Sequence, residues 1–287
     1  MPAKFGPAGN SESFYAAGKK NTYEAPLWLS EMGLDAYEYQ CGQGVRGSAA
    51  AFTKVGEEAK KYGISLSLHA PYFISLSGTE EEKRLKSVDY IGQSLAAAEA
   101  MDADIIVIHT GSASKISRSE AVELAKKTIS LALEKFPDTK VAFGLETMGK
   151  LNQLGTLAEV IDICKIDPRL RPVVDFGHLN ARNVGGLFKN ADDYRRVFEL
   201  IDRELGAEYA DKLHCHFSKI EYTNSGEKRH LTFEDTVYGP EFSPLAEVLA
   251  KDGYSPKIIC ESAGTMAEDA LAMKKMYSAA LGISENT

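Results

Sequence analysis

The stretch Arg171-Pro-Val-Val-Asp-Phe-Gly-His178 decides how the rest of the chain is read. It has the form of a short buried strand that stops on an acidic residue, with a histidine three places later. Successive side chains of a strand point to opposite faces, so Val173 and Asp175 share one face and Pro172 and Val174 the other. Asp175 is therefore expected at the strand's C-terminal end and His178 on the loop just past it. A buried carboxylate without a partner is costly, so a positive group should meet it.

The same unit recurs on both sides of this stretch. Strands are expected at Lys4–Pro7, Ala36–Gln40, Ser65–His69, Ile105–His109, Val141–Glu146, Pro172–Asp175, Leu213–Phe217 and Lys257–Glu261. Helical patterns lie near residues 23–32, 48–62, 80–100, 118–135, 157–166, 192–205, 243–251 and 267–281. Capping-box pairs mark several helix starts: Thr79 with Glu82, Ser117 with Glu120, Thr156 with Glu159 and Thr265 with Glu268. About eight βα units predict a (β/α)8 TIM barrel, with residues 1–287 as one domain. A doubly wound open sheet is the alternative, but no Gly-rich phosphate loop follows the first strand.

Side-chain parity sharpens the barrel reading. Ser65, Ser67 and His69 share a face, as do Ile105, Val107 and His109; Ala142, Gly144 and Glu146; His214 and His216; and Ile259 and Glu261. The bulky residues between them, such as Leu66 and Leu68, would turn out toward helices. Strand after strand thus ends on a metal-type ligand, and a barrel gathers these ends at its C-terminal mouth. The resulting set is His69, His109, Glu146, Asp175, His178, His216 and Glu261, with His230 on the long loop after the seventh strand. Parity points both His214 and His216 inward. Converging nitrogen and oxygen ligands suit zinc, manganese or iron. More than four of them, with a glutamate able to bridge, describe a multinuclear centre, and two metals roughly 3.5–4 Å apart suit in-line displacement at phosphate.

Composition sets the outer limits. Hydrophobic residues make up 44% and charged residues 26% of 287, ordinary values for a soluble globular protein. No run approaches the roughly 18 apolar residues of a membrane span. The start, Met1 to Gly6, has no signal-peptide apolar region, and the four cysteines contain no CxxC pair. A cytoplasmic monomer with buried reduced thiols is expected. The formal net charge of −8 argues against nucleic acid only until metals neutralise the acidic mouth.

Several segments resemble the endonuclease IV family of apurinic/apyrimidinic endonucleases, within the xylose isomerase-like TIM barrels. They are Leu68-His-Ala-Pro-Tyr-Phe-Ile-Ser-Leu76, Ile108-His-Thr-Gly-Ser112, Gly144-Leu-Glu-Thr147, Val174-Asp-Phe-Gly-His178, Cys215-His-Phe-Ser218, Lys228-Arg-His230 and Ile259-Cys-Glu-Ser262. The resemblance implies that His69 and His109 hold a first zinc and share Glu146 with a second, completed by Asp175, His216 and Glu261. His178 and His230 would hold a third, and Mn2+ is the alternative ion. Glu146 and Glu261 would be the catalytic carboxylates. The reaction implied is hydrolysis of the phosphodiester 5′ to an abasic site in DNA, with Tyr72 packing against DNA beside the flipped-out position.

The chain departs from that family at three places. Lys228 stands where the family has an aspartate, the loop Gln40–Arg46 lacks its asparagine and arginine, and His-Pro-Gly becomes His109-Thr-Gly111. Glu227 could replace the missing carboxylate, but alternation along an extended loop favours Lys228, offering an ammonium to phosphate. Two tightly held metals are then expected, with the His178–His230 position weak or empty. Arg46, Lys115, Lys219, Lys228 and Arg229 are candidate phosphate contacts. A sugar isomerase or epimerase would need only Glu146, Asp175, His216 and Glu261, without His69, His109 and His230. A DNA-binding relative without catalysis is the third reading.

Overall fold

Eight parallel strands, each ending toward the same mouth, form the centre of the computed structural model, which describes residues 2–283. They are β1 (Lys4–Pro7), β2 (Ala36–Gln40), β3 (Ser65–His69), β4 (Ile105–His109), β5 (Ala142–Glu146), β6 (Leu170–Asp175), β7 (His214–Phe217) and, after a hairpin of β8 (Ile220–Thr223) and β9 (Gly226–His230), β10 (Lys257–Cys260). Their order is β1-β10-β7-β6-β5-β4-β3-β2. The two outer strands meet where Gly9 N donates to Glu38 O and Asp35 N to Phe5 O, both at 2.9 Å. Gly6 makes this closure possible: a Cβ there would lie 1.8 Å from the Ala36 carbonyl oxygen. The sheet is thus a nearly closed barrel rather than an open doubly wound sheet, and the fold is the (β/α)8 TIM barrel expected. The ends of the expected 1–287 span, Met1 and 284–287, lie outside the described residues.

The helices are α1 (Glu12–Ala16), α2 (Ala25–Glu31), α3 (Ala49–Tyr62), α4 (Glu81–Met101), α5 (Arg118–Lys135), α6 (Leu157–Cys164), α7 (Phe176–Arg182), α8 (Ala191–Leu205), α9 (Ala207–Asp211), α10 (Ser243–Asp252) and α11 (Met266–Ala280). The capping box of Thr156 and Glu159 forms at α6, and Ser117 caps α5 through the Glu120 amide. The other two pairs do not: α4 starts after Glu80, and the Thr265 hydroxyl goes to Asp269 instead.

Strand parity divides the core as the sequence suggests. Leu66, Leu68, Ile106, Ile108, Phe143, Leu145 and Val174 face the helices in one large apolar layer. Inside the barrel, Ile105, Val107 and Val173 form a small apolar plug. The rest of the interior is polar, with Ser67, Glu38, His214 and His216 all buried. Among the described residues no helix is long and apolar enough to cross a membrane.

Candidate metal centre

The strand ends open into a cavity of about 580 Å³ at the C-terminal mouth, lined by His69, His109, Glu146, His178, His230 and Glu261. Glu146, fully buried at the end of β5, sits at its centre. Its Oε2 lies 3.4 Å from His69 Nε2 and 3.1 Å from His109 Nε2. Its Oε1 lies 3.0 Å from His216 Nδ1, which is itself 3.4 Å from Glu261 Oε1. Ligand atoms of His69, His109 and Glu146 lie within 4.8 Å of one another, as do those of Glu146, Asp175, His216 and Glu261.

Asp175 serves two functions at the end of β6. Its Oδ1 accepts the His178 amide at 2.6 Å and so caps α7. That cap makes residues 176–182 helical and places His178 in a buried helix rather than on the loop expected. The Asp175 Oδ2 and Glu146 Oε2 atoms are buried with no hydrogen-bond partner. Two such orphaned carboxylate oxygens beside histidine nitrogens are costly unless a cation meets them. The residues present therefore fit divalent metal. His69 Nδ1 donates to the Ala70 carbonyl at 2.9 Å and His178 Nδ1 to the Thr147 carbonyl at 3.0 Å, which leaves Nε2 of each ring free to ligate.

The segment expected as a loop around His230 is the β8–β9 hairpin. Tyr222 pairs with Glu227 and Glu221 with Arg229, so Lys228 is the extra residue of a bulge. The bulge breaks simple alternation and turns both Glu227 and His230 toward the cavity. Glu227 Oε2 comes 3.5 Å from His178 Nε2, and the His178 and His230 rings lie 5.4 Å apart. Lys228 points away, 2.5 Å from Glu221 Oε1. The preference for Lys228 over Glu227 at this position is corrected, because it assumed an unbulged strand.

The rim also differs from expectation. Arg229 pairs with Glu221 at 2.6 Å, and Lys219 is buried against Glu241 at 2.8 Å and the Asp235 carbonyl at 2.6 Å. These two cations and Lys228 are already neutralised. Arg46 and Lys115 are exposed and, among the described residues, have no ion pair; the same holds for Lys150, a cavity-lining residue not singled out in the sequence. Tyr72 is half exposed and lies parallel to the His109 ring at 5.3 Å. Glu38, also missed, is fully buried one inward position below the ligands on β2 and faces His216 Nε2 at 3.1 Å. The signal was available in Ala36-Tyr-Glu-Tyr-Gln40, where both tyrosines fall on the outward parity and Glu38 on the inward one. His214 bonds Glu38 at 2.9 Å, so His216 is the histidine that faces the carboxylates of the mouth.

Charges in the metal-free centre are strongly interdependent. Burial opposes ionisation of Glu146, but the His216 ring and the neighbouring His109 and His178 rings hold it well below the usual carboxylate range. Glu261 is pushed up to about 7 by burial and by the charges of Glu146 and Asp175. Burial works against protonation of His216 and His178, yet the surrounding carboxylates hold both well above the ordinary histidine range. His109 and His230 are lowered, chiefly by burial.

A protein of Methanocaldococcus jannaschii described as uncharacterized is 28% identical over 263 residues, covering 90% of this chain and 93% of that one. A probable endonuclease 4 of Acholeplasma laidlawii is 29% identical over 208 residues, covering 70% and 69%. Endonuclease IV from Thermus thermophilus superposes with a TM-score of 0.66 at 20% identity, covering 93% of this chain and 96% of that one. A D-tagatose 3-epimerase-like protein superposes with a TM-score of 0.65 at 22% identity, covering 87% and 89%. The model of the xylose isomerase-like TIM barrels matches residues 26–276, and the chain belongs to that family.

Proposed function

We propose that the protein is a zinc-dependent endodeoxyribonuclease of the endonuclease IV kind, hydrolysing the phosphodiester 5′ to an abasic site in DNA. The observation that carries this reading is the surplus of ligands. Beyond the set Glu146, Asp175, His216 and Glu261, which would serve one metal, His69 and His109 add nitrogens on Glu146, and His178 and His230 form a further group that reaches Glu261, with Glu227 3.5 Å from His178 Nε2. The likeness to probable endonuclease 4 proteins supports the same choice. Bound metals would lower the pKa of water and neutralise charge growing on phosphate. The chain's own part is to hold those charges apart in fixed places. The strand ends position Glu146 and Asp175, the backbone carbonyls orient His69 and His178, and Tyr72 walls one side of the cavity. Lys150 offers a free cation beside it.

The test is incubation with an abasic-site duplex. Incision on the 5′ side is expected, lost with EDTA, restored by zinc, and reduced to background in Glu146→Gln. A second reading is a sugar epimerase using one metal while two carboxylates move protons. The neutralised rim favours it, because Lys219, Lys228 and Arg229 are all paired with acids. Intact duplex after prolonged incubation with metal-loaded protein, together with turnover of a ketose, would decide for the epimerase.

A further inference from the structure

Below the ligand layer lies a buried polar cluster that the proposed chemistry does not use. Glu38 is a fully buried carboxylate on β2. Its Oε2 accepts from Ser67 Oγ at 3.0 Å and from His214 Nε2 at 2.9 Å; its Oε1 accepts from Gln40 Nε2 at 3.2 Å. Both oxygens also face His216 Nε2, at 3.1 and 3.3 Å. Among the described residues no lysine or arginine pairs with it. A buried charge persists only when its acceptor positions are filled, and here the two histidines that bond it are the nearest groups able to carry compensating charge among the described residues.

The His216 ring therefore has one nitrogen for each environment. Nδ1 faces Glu146 and Glu261 in the mouth, and Nε2 faces Glu38. A carboxylate at Nε2 requires a proton there, which leaves the Nδ1 lone pair for the mouth. This is the reverse of His69 and His178, whose Nδ1 atoms go to backbone carbonyls. A carboxylate partner also makes the ligating nitrogen more basic than a carbonyl partner does.

We propose that Glu38 is a positioning residue that fixes the tautomer and orientation of His216, so that this ring ligates through Nδ1 and sets the affinity of the metal shared with Glu146, Asp175 and Glu261. The inference rests on the mouth being a metal centre. His214 and Ser67 hold Glu38 in turn. A metal held by Glu38, His214 and His216 themselves is the competing arrangement for the same atoms. It would need His216 Nε2 as a ligand and would leave its Nδ1 protonated against the two mouth glutamates.

The test combines zinc titration against a chelator with ¹⁵N NMR of the histidine rings in zinc-loaded protein. In Glu38→Gln, one zinc should weaken by about 10–100-fold while the other equivalents are unchanged. Glu38→Asp should restore part of that loss, and His214→Gln, which keeps a donor to Glu38, should leave affinity within about threefold. In the wild type, His216 should show a metal-bound Nδ1 and a protonated Nε2, a readout that does not depend on any variant folding. Unchanged affinity in Glu38→Gln, or His216 bound through Nε2, overturns this inference alone. So does a zinc equivalent present in the wild type and lost in His214→Gln. A wild type that takes up no zinc overturns the metal centre itself.

Discussion

Glu227 is the residue on which the nuclease and epimerase readings separate most sharply. Its Oε2 lies 3.5 Å from His178 Nε2 and it lines the same cavity as His230, so on the proposed reading it would give a third group the three protein ligands that a reactive zinc position commonly has. Glu227→Ala should therefore lose one zinc equivalent on dialysis, whereas Lys228→Ala should lose none, because Lys228 is turned outward onto Glu221. Elemental analysis of the dialysed variants checks both. Loading should also depend on pH. His178 and His216 are held protonated in the metal-free protein by the buried carboxylates around them, and zinc requires both neutral. Affinity should therefore rise as pH increases through and above the ordinary histidine range, with net release of protons on loading. Calorimetry in buffers of different ionisation enthalpy measures that release, and a proton count near zero would contradict the charge states assigned. Most of the side chains that the mouth brings together could be read from the sequence, because a residue at a strand end has a fixed parity. Glu38 was missed because a residue that orients a ligand, rather than contacting metal, carries no mark beyond its own parity.

At the scale of the element, the β8–β9 hairpin brings Glu227 and His230 to the cavity. It docks on the loop after β5 through Glu227 N to Gly149 O and Leu151 N to Ser225 O, both at 3.1 Å. Gly226 has φ +89°, and a Cβ there would lie 2.3 Å from the Gly149 carbonyl oxygen. Gly226→Ala is expected to cost at least about 1–2 kcal/mol for the left-handed backbone alone, with the clash added. It should lower the melting temperature and release the same zinc as Glu227→Ala, while the two remaining equivalents stay bound. Retention of that zinc with a full drop in stability would show that docking and ligation are independent. The eight barrel strands were legible because each is a short apolar or alternating run that takes its turn with a helical pattern along the chain. The hairpin was not, because a bulge breaks the period on which that reading depends, and because Gly226-Glu-Lys-Arg-His230 has no apolar face. The helix after Asp175 was likewise hidden, since its start depends on a side-chain cap supplied by a residue already assigned to a strand end.

For the whole molecule, the barrel closes at Gly6 against Ala36, and this brings β1 and β2 round to complete the ring beneath the ligands. The surface charge then limits how DNA could be gripped. Lys219, Lys228 and Arg229 are paired, whereas Arg46, Lys115 and Lys150 on the mouth side are exposed and, among the described residues, make no ion pair. With about three phosphate contacts, log affinity for duplex should fall with log salt at a slope of about −3, and Lys150→Ala should reduce that slope by about one. Fluorescence anisotropy across a salt series measures it, and a flat response would count against any nucleic-acid partner. The central claim, that the mouth is built for several metals at once, is tested most directly by anomalous diffraction at the zinc edge from crystals of zinc-loaded protein. Three peaks are expected: one on His69, His109 and Glu146, one on Glu146, Asp175, His216 and Glu261, and one on His178, His230 and Glu227. A single peak on the four-ligand set, with the histidine pairs bare at saturating zinc, would contradict the multinuclear centre and the nuclease reading built on it.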